Sequence, residues 1–195
     1  MKYQTPKNQS EILPNLLDLK LAEEIALSEF EGFLKTEILL TENLSSLTKF
    51  NLKFILKIHK LSLGHLYSFA GRYRDVNLSK GGFSFAAARF LPVTMKVFED
   101  EVLLKLPNNY KDKKNLIKDI ATVHAELLFI HPFREGNGRT ARILANLMSR
   151  KQGFGPLLFE KIGENEFQLY ISAVQMAAKK DYQRMEELIE SIFPN

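Results

Sequence analysis

The sequence predicts an all-α protein that carries one small β-hairpin. Apolar residues recur at three- and four-residue steps through most of the 195 residues, which is the spacing of amphipathic helices. One segment, Tyr67 to Pro92, breaks this period, because part of it alternates like a strand and includes the Gly-Gly pair of a hairpin turn. No internal repeat, low-complexity tract or linker divides the chain, so we expect one domain over residues 1–195.

Composition sets further bounds. The chain is long enough for a substantial core, and it has no cysteine, which excludes a disulfide framework and a cysteine-rich zinc site. Its formal charge of +4 is mild and its basic residues are dispersed, so nucleic acid is not an expected partner. The first fifteen residues lack the apolar core of a signal peptide, and no apolar run approaches about 20 residues. We therefore expect no membrane partner and a cytoplasmic location, with delivery into another cell left open.

The first helix is predicted over residues 16–40, after a flexible arm over residues 1–15 that contains Pro6 and Pro14. The helix is predicted by apolar residues at helical spacing, namely Leu17, Leu21, Ile25, Phe30, Phe33 and Leu34. Gly32 interrupts this helix at a cost of about 1 kcal/mol relative to alanine. A glycine inside a helix suggests that another part of the chain approaches it closely.

The remaining helices follow from the same periodicity. Ser45 and Ser46 offer N-cap chemistry for a long second helix. The predicted ranges are 47–66, 91–106, 115–129, 139–150, 164–178 and 182–192. The last two close the domain.

The most informative segment is residues 131–142, between two of these helices. Two glycines and an asparagine, at 136–138, tolerate positive φ and favour a sharp turn. A turn that feeds a helix start is an anion site, because backbone amides and the helix dipole both attract negative charge. Arg139 and Arg142 are three residues apart and are expected on one face of the first helical turn. Their charges oppose the dipole, and a bound polyanion would reverse that penalty.

Two further groups extend the chemistry of this segment. Glu135 supplies a carboxylate oxygen, the kind of ligand that Mg²⁺ takes when it bridges phosphates. His131, with an ordinary pKa of about 6.5, is the natural proton acceptor at neutral pH. A base, a metal ligand, an anion cradle and two arginines together indicate phosphoryl or nucleotidyl transfer.

This segment resembles the signature of the Fic family, His-x-Phe-x-(Asp/Glu)-Gly-Asn-Gly-Arg-x-x-Arg. Every fixed position is met, by His131, Phe133, Glu135, Gly136, Asn137, Gly138, Arg139 and Arg142. The resemblance implies a Fic-like helical bundle and a protein adenylyltransferase that moves AMP from ATP to a Tyr, Thr or Ser hydroxyl of a target protein. It implies His131 as the base, Glu135 as the Mg²⁺ ligand, and nucleotide binding by Gly136, Asn137, Gly138, Arg139 and Arg142.

The hairpin region, residues 67–90, resembles the Fic flap, which lies beside the active site and docks an extended segment of the target by strand pairing. Such β-augmentation gives affinity through backbone hydrogen bonds with little demand on sequence. Lys80, Gly81, Gly82 and Phe83 are the predicted docking residues. Lys80 is also expected to reach nucleotide phosphates, and Phe83 to contact the base or the target.

Many Fic proteins carry an inhibitory helix with the pattern Ser/Thr-x-x-x-Glu-Gly/Asn. The segment that resembles it is 27–32, in which Leu27 departs from the first position and Ser28 is expected to substitute. The resemblance implies that Glu31 forms an ion pair with Arg142 and blocks the ATP γ-phosphate, since carboxylate and phosphate match the same guanidinium fork. The alternative is a solvated Glu31, in which case a separate antitoxin-like inhibitor becomes the expectation.

Other functions remain open from the sequence. A Fic-fold enzyme can transfer another phosphate-containing group or remove AMP, and a non-catalytic nucleotide-binding module would keep only the fold. A metal hydrolase using His124 and His131, seven residues apart, is a further alternative. That spacing lacks the pattern of familiar zinc motifs and leaves the Gly-Asn-Gly turn without a role.

Overall fold

The computed structural model describes residues 12–80 and 83–194, and it confirms the all-α prediction. Most of the predicted N-terminal arm, and Gly81 and Gly82, lie outside these residues. The helices in the described ranges are α1 (Ala22–Glu42), α2 (Leu52–Leu63), α3 (Leu91–Glu101), α4 (Lys113–Ile130), α5 (Asn137–Lys151), α6 (Glu164–Met176) and α7 (Gln183–Ser191). Two short strands, β1 (Ser79–Lys80) and β2 (Phe83–Ser84), form the predicted hairpin.

Helix α4 forms the centre of the bundle. It packs against α3, α5, α6 and α7, and its side chains Leu116, Ile120 and Leu127 are almost completely buried. The Asp112 side chain caps its start by accepting the Asn115 N–H. Because α4 and α5 pack directly on one another and both contribute to the core, the turn between them is anchored at both ends.

Helix α1 begins later than predicted. Residues 12–21 run as irregular chain, with Asp18 at φ 55°, and Leu16 donates its N–H to the Leu66 carbonyl at 2.8 Å. The close approach expected at Gly32 exists, and the neighbour is α2. A Cβ at Gly32 would stand 2.0 Å from the Ser62 carbonyl oxygen, so only glycine allows the two helices this contact.

Helix α2 is shorter than predicted at both ends. Its N-cap is Asn51, whose side chain accepts the Phe54 N–H at 2.9 Å, rather than Ser45 or Ser46. Its C-cap is Gly64. The periodic signal continued past both boundaries because Leu47 and Leu66 extend the apolar spacing without belonging to the helix.

The hairpin lies beside the α4–α5 turn, where Phe85 contacts His131 and Phe83 contacts Phe129. Ser79 pairs with Ser84 and Lys80 with Phe83 in an antiparallel register. Below the strands, the Phe85 N–H donates to the Leu78 carbonyl at 3.1 Å and extends the pairing by one step.

Candidate active site

The predicted motif forms a tight turn between α4 and α5 that is closed by its own asparagine. The Asn137 side chain accepts the Phe133 N–H and donates to the Phe133 carbonyl, both at 2.8 Å. His131 and Gly136 bracket the turn with positive φ, at 55° and 76°. The Asn137 side chain is used within the turn. A nucleotide contact by Asn137, as the sequence predicts, would therefore come from its backbone N–H.

His131 is the C-cap of α4, and its ring lies at the mouth of the turn. Its Nδ1 donates to the Leu128 carbonyl at 2.9 Å, which fixes the tautomer with the lone pair on Nε2. Burial, with smaller contributions from the nearby charges of Arg74 and Lys80, lowers the pKa of His131 to about 4. The imidazole is therefore neutral at pH 7, the form that can accept a proton.

A second histidine supports the turn from below. The His59 ring stacks on Phe133 with ring centres 3.8 Å apart and planes 7° from parallel. Its Nδ1 accepts the Gly71 N–H at 2.8 Å and its Nε2 donates to the Glu135 carbonyl at 3.0 Å. His59 thus joins α2 to the motif, a structural role that the sequence did not indicate.

The two motif glycines have different reasons to be glycine. At Gly136 the φ is 76°, and a Cβ would stand 2.8 Å from Phe33 Cζ and 3.0 Å from Leu63 Cδ1. At Gly138, inside the first turn of α5, a Cβ would meet nothing within 4 Å. The fold therefore requires glycine at Gly136, whereas a side chain at Gly138 would enter open space. A helix leaves its first amides without intrahelical acceptors, so the start of α5, where Gly138 lies, also offers hydrogen-bond donors.

Charged side chains cluster on the α1 side of that space. Arg139 pairs with Glu29 of α1 at 2.7 Å and with Glu135 at 3.4 Å, while its guanidinium lies 4.6 Å above the Phe33 ring. Glu29 is 8% exposed, and its other oxygen accepts the Tyr67 hydroxyl at 2.6 Å. Burial raises the pKa of Glu135, and the nearby Glu29 carboxylate raises it further. One predicted nucleotide arginine is thus held by two carboxylates.

The second arginine turns to a different neighbour. Arg142 is exposed, and its guanidinium lies 5.3 Å from the Phe159 ring, on the side of α6. It lies near Tyr170, whose pKa is raised by burial and lowered in part by this guanidinium. The shared face predicted for the two arginines is thus divided, with Arg139 toward α1 and Arg142 toward α6, so that both flank the start of α5.

The prediction of a Glu31–Arg142 ion pair is wrong. Glu31 lies on the outer side of α1 and pairs with Lys35 at 2.9 Å, with half of its side chain exposed. Glu29, two residues earlier, points inward because it shares the helical register of Ile25 and Phe33. Ser28, the second predicted inhibitory residue, hydrogen-bonds His65 at 3.0 Å and fastens α1 to the end of α2.

The hairpin brings one predicted and one unpredicted side chain to the site. Lys80 lies close enough for its charge to lower the pKa of both His131 and Glu135. Phe85, just after β2, stacks on the His131 ring with centres 3.9 Å apart and planes 17° from parallel. Phe83 instead packs beside Phe85 and Phe129. Gly81 and Gly82, predicted for target docking, fall outside the described residues.

The geometry does not support a two-histidine metal site. His124 is buried in α4 with Nδ1 against the Ala141 carbonyl at 3.3 Å and Nε2 against the Tyr170 hydroxyl at 2.6 Å. Both ring nitrogens therefore have partners away from His131. Within the described residues, no group of three or more His, Cys, Asp or Glu side chains is arranged to hold a metal.

Across the same residues, every helix is too short or too polar to span a bilayer.

Comparison with known proteins agrees with this fold and this turn. The model of the Fic/DOC family matches residues 49–149, from the approach to α2 through most of α5, and the chain belongs to this family. The match includes the hairpin and the 131–142 motif but not α1, which carries Glu29 and Glu31.

Curated relatives carry the name protein adenylyltransferase Fic. The protein from Nematostella vectensis is 34% identical over 119 residues, which are 60% of this chain and 27% of that protein. The protein from Drosophila willistoni is 33% identical over 111 residues, 56% of this chain and 22% of that protein. The chain thus spans about a quarter of the length of the curated relatives it matches.

Solved structures extend the likeness to the whole fold. BepC from Bartonella tribocorum, an effector with bound AMPPNP, gives a TM-score of 0.76 at 20% identity, with 96% of this chain and 95% of that one covered. The N-terminal Fic domain of a Bartonella effector from strain AR 15-3 gives 0.80 at 20% identity, covering 96% of this chain and 89% of that one. At this identity the likeness shows the fold.

Proposed function

We propose that this chain is a protein adenylyltransferase that moves AMP from ATP to a hydroxyl of a target protein. The observation that carries the proposal is the open space at Gly138, which faces the amide-rich start of α5 and is flanked by Arg139 and Arg142, with a neutral histidine nearby. The names of the curated relatives, and the AMPPNP and ADP in two Bartonella Fic structures, support a nucleotide with this chemistry.

In this mechanism His131 is the general base. The target hydroxyl approaches Nε2, its oxygen attacks the α-phosphorus, and its proton passes to the imidazole as the new P–O bond forms. The bond between the α-phosphorus and the β-phosphate oxygen breaks, and pyrophosphate leaves. The hydrogen bond from Nδ1 to the Leu128 carbonyl and the stack on Phe85 hold the ring in one orientation for this transfer.

The start of α5 stabilises the charge that develops on the α-phosphate. The amides of Asn137, Gly138 and Arg139 have no acceptor within the helix, and the helix dipole adds partial positive charge at the same place. Donors that are fixed before the reaction require no reorganisation during it, which is why such cradles contribute strongly to catalysis. Arg139 and Arg142 would hold the β- and γ-phosphates from the two sides of the helix.

Glu135 is the residue that would hold Mg²⁺. The single carboxylate fits this ion, because Mg²⁺ at nucleotide sites takes one or two protein carboxylates and completes its shell with phosphate oxygens and water. When bound, Mg²⁺ neutralises phosphate charge and favours the departure of pyrophosphate. Glu135 accepts the Gly136 N–H at 2.8 Å and pairs with Arg139 at 3.4 Å, which holds its carboxylate at the turn.

We further propose that Glu29, rather than Glu31, restrains the enzyme. Its carboxylate occupies the Arg139 guanidinium, which an incoming phosphate must also bind, so the two anions compete for one cation. The Tyr67 hydroxyl and the buried position of Glu29 favour the closed pairing. If Glu29 does not restrain the enzyme, a separate antitoxin-like partner remains the alternative.

The test is transfer of label from ATP labelled at the α-phosphate, in the presence of Mg²⁺ and a cell lysate that supplies targets. Glu29→Gln removes the charge that holds Arg139 and keeps an oxygen for Tyr67, so we expect at least ten-fold more labelled protein than with the unmodified chain. Glu31→Gln is the matched control on the same helix and is expected to match the unmodified chain, since Glu31 contacts only Lys35 among the charged groups described.

The outcomes distinguish the proposed adenylyl transfer from the proposed restraint by Glu29. Adding His131→Ala to Glu29→Gln should abolish the label. No label from any variant would refute adenylyl transfer. Equal label from the unmodified chain and Glu29→Gln would keep the transfer and remove the restraint by Glu29.

A further inference from the structure

Arg74 lies in the connection between α2 and β1 and is 4% exposed. Its guanidinium donates to three backbone carbonyls: Nε to His131 at 2.8 Å, Nη1 to Val76 at 2.6 Å and Nη2 to Ala86 at 2.5 Å. Its backbone N–H donates to the Pro132 carbonyl at 2.9 Å. One side chain therefore uses all three of its nitrogens on main-chain oxygens from three separate segments.

These segments are the two ends of the hairpin and the histidine of the motif. Val76 precedes β1 and Ala86 follows β2, so the guanidinium closes the base of the hairpin as a bracket. The residue before Ala86 is Phe85, which stacks on the His131 ring. The hairpin is thus fastened to His131 twice, through Arg74 on the backbone and through Phe85 on the ring.

Arg74 does not use its charge in an ion pair. Among the described residues, no carboxylate lies within ion-pair distance of it, and burial alone lowers its pKa to about 10. A buried cation that binds only carbonyls is costly, and a neutral or apolar side chain would avoid the cost of desolvation. What arginine supplies is a planar fork that reaches three acceptors at fixed angles, which lysine cannot reproduce.

We propose that Arg74 is a positioning residue that fixes the hairpin relative to His131, so that a target segment docked on the hairpin brings its hydroxyl to Nε2. This inference rests on the proposed adenylyl transfer for its functional consequence. The geometry assigns Arg74 to the acceptor side of the reaction, since its contacts lead to the hairpin and His131 and none leads to the start of α5. Its loss should therefore impair transfer to protein and spare the binding of MgATP.

The experiment compares Arg74→Lys and Arg74→Gln with Arg72→Lys, all in the Glu29→Gln background. Arg72 is the matched control, because it is an exposed arginine two residues away that donates to the Ser68 carbonyl at 2.7 Å. We expect both Arg74 variants to lose at least ten-fold in labelling of protein, while the Kd for Mg-AMPPNP, measured by calorimetry, stays within about two-fold. Arg72→Lys should change neither quantity.

Two further measurements test whether Arg74 fixes the hairpin, without relying on activity. Amide hydrogen exchange at Phe85 should be at least ten-fold faster in Arg74→Gln, because its N–H bond to Leu78 lies at the base that Arg74 closes. The pKa of His131, followed by NMR, should rise in Arg74→Gln and less in Arg74→Lys, because a cation has been removed; Lys80 is the other cation that lowers it.

A folded Arg74→Gln that labels protein at the parental rate would overturn the inference. So would a loss of labelling matched by an equal loss of Mg-AMPPNP affinity, since Arg74 would then support the whole turn and not the acceptor side. If the Glu29→Gln parent transfers no adenylate, the proposed function fails. Hydrogen exchange and the His131 titration then still decide whether Arg74 fixes the hairpin to His131.

Discussion

Replacing Gly138 by alanine separates the needs of the fold from the needs of a ligand. The added Cβ meets no atom of the protein within 4 Å, and Gly138 has no positive φ to lose. Alanine favours a helix over glycine by up to about 1 kcal/mol, so the free energy of unfolding should stay the same or rise by up to that amount. The same methyl group projects into the space where the α-phosphate is proposed to bind.

Gly136→Ala is the matched substitution, two residues away, and its effect should be the reverse. A φ of 76° costs an L-residue about 1–2 kcal/mol, and contacts of 2.8 Å to Phe33 and 3.0 Å to Leu63 add an overpacking cost of about 1–3 kcal/mol. We expect Gly136→Ala to lower the free energy of unfolding by about 2–5 kcal/mol. Urea titration at pH 7.5 measures both variants against the parent.

The assay for the ligand is calorimetric binding of Mg-AMPPNP in the Glu29→Gln background, where Arg139 has lost its ion pair with Glu29. Gly138→Ala should weaken binding by more than ten-fold, which corresponds to about 1.4 kcal/mol, in a protein that is no less stable than its parent. A Kd within three-fold of the parent's would show that no ligand atom enters the space beside Gly138. The proposed cradle would then be wrong, whatever the activity of the protein.

Three further predictions concern the groups around the turn. His59→Leu leaves the Gly71 N–H and the Glu135 carbonyl without their partner, so the free energy of unfolding at pH 7.5 should fall by about 2–5 kcal/mol in urea titration. Burial lowers the pKa of folded His59 to about 4, so as pH falls below about 6.5 the unfolded chain takes up a proton before the folded one. Between pH 7.5 and 5 this lowers the free energy of unfolding of the protein with His59 by about 2 kcal/mol. His59→Leu has no such loss, so the difference in stability between it and the parent should shrink by about 2 kcal/mol at pH 5. An unchanged difference would contradict the lowered pKa of His59. The kcat/KM for transfer should fall toward acid as His131 gains a proton, with its midpoint well below 6.5 because the pKa of the free enzyme is about 4; a midpoint at 6.5 or above would show an exposed base. Lys80→Met should move that midpoint upward, since it removes a cation that lowers the pKa of His131, and an unmoved midpoint would place Lys80 too far away to act.

The parts of this protein that were predictable from sequence are those whose signals are local. Helical periodicity located each helix, with ends up to six residues from the observed ones, and the Gly-Gly pair indicated the hairpin. Boundaries failed where apolar spacing continued past the true cap, as at Asn51. The motif itself needed no tertiary information, because its turn is made by Gly136 and by Asn137.

The missed residues act across long stretches of chain. Glu29 meets Arg139 at a separation of 110 residues, His59 meets Glu135 at 76 and Arg74 meets His131 at 57. No spacing rule connects such pairs. For Glu29 a signal did exist, because this carboxylate shares the helical register of Ile25 and Phe33 on the buried stripe of α1, where an acid needs a partner.

The turn that Asn137 closes is held by hydrogen bonds within the chain itself. Its side chain holds Phe133 at both the N–H and the carbonyl, and His59 supports it from below. A segment that is already ordered has little conformational entropy left to lose on association. Nucleotide capture at this site should therefore resemble docking onto a rigid surface, with a rate governed by diffusion and by how often Glu29 releases Arg139, rather than by the folding of a loop around the ligand.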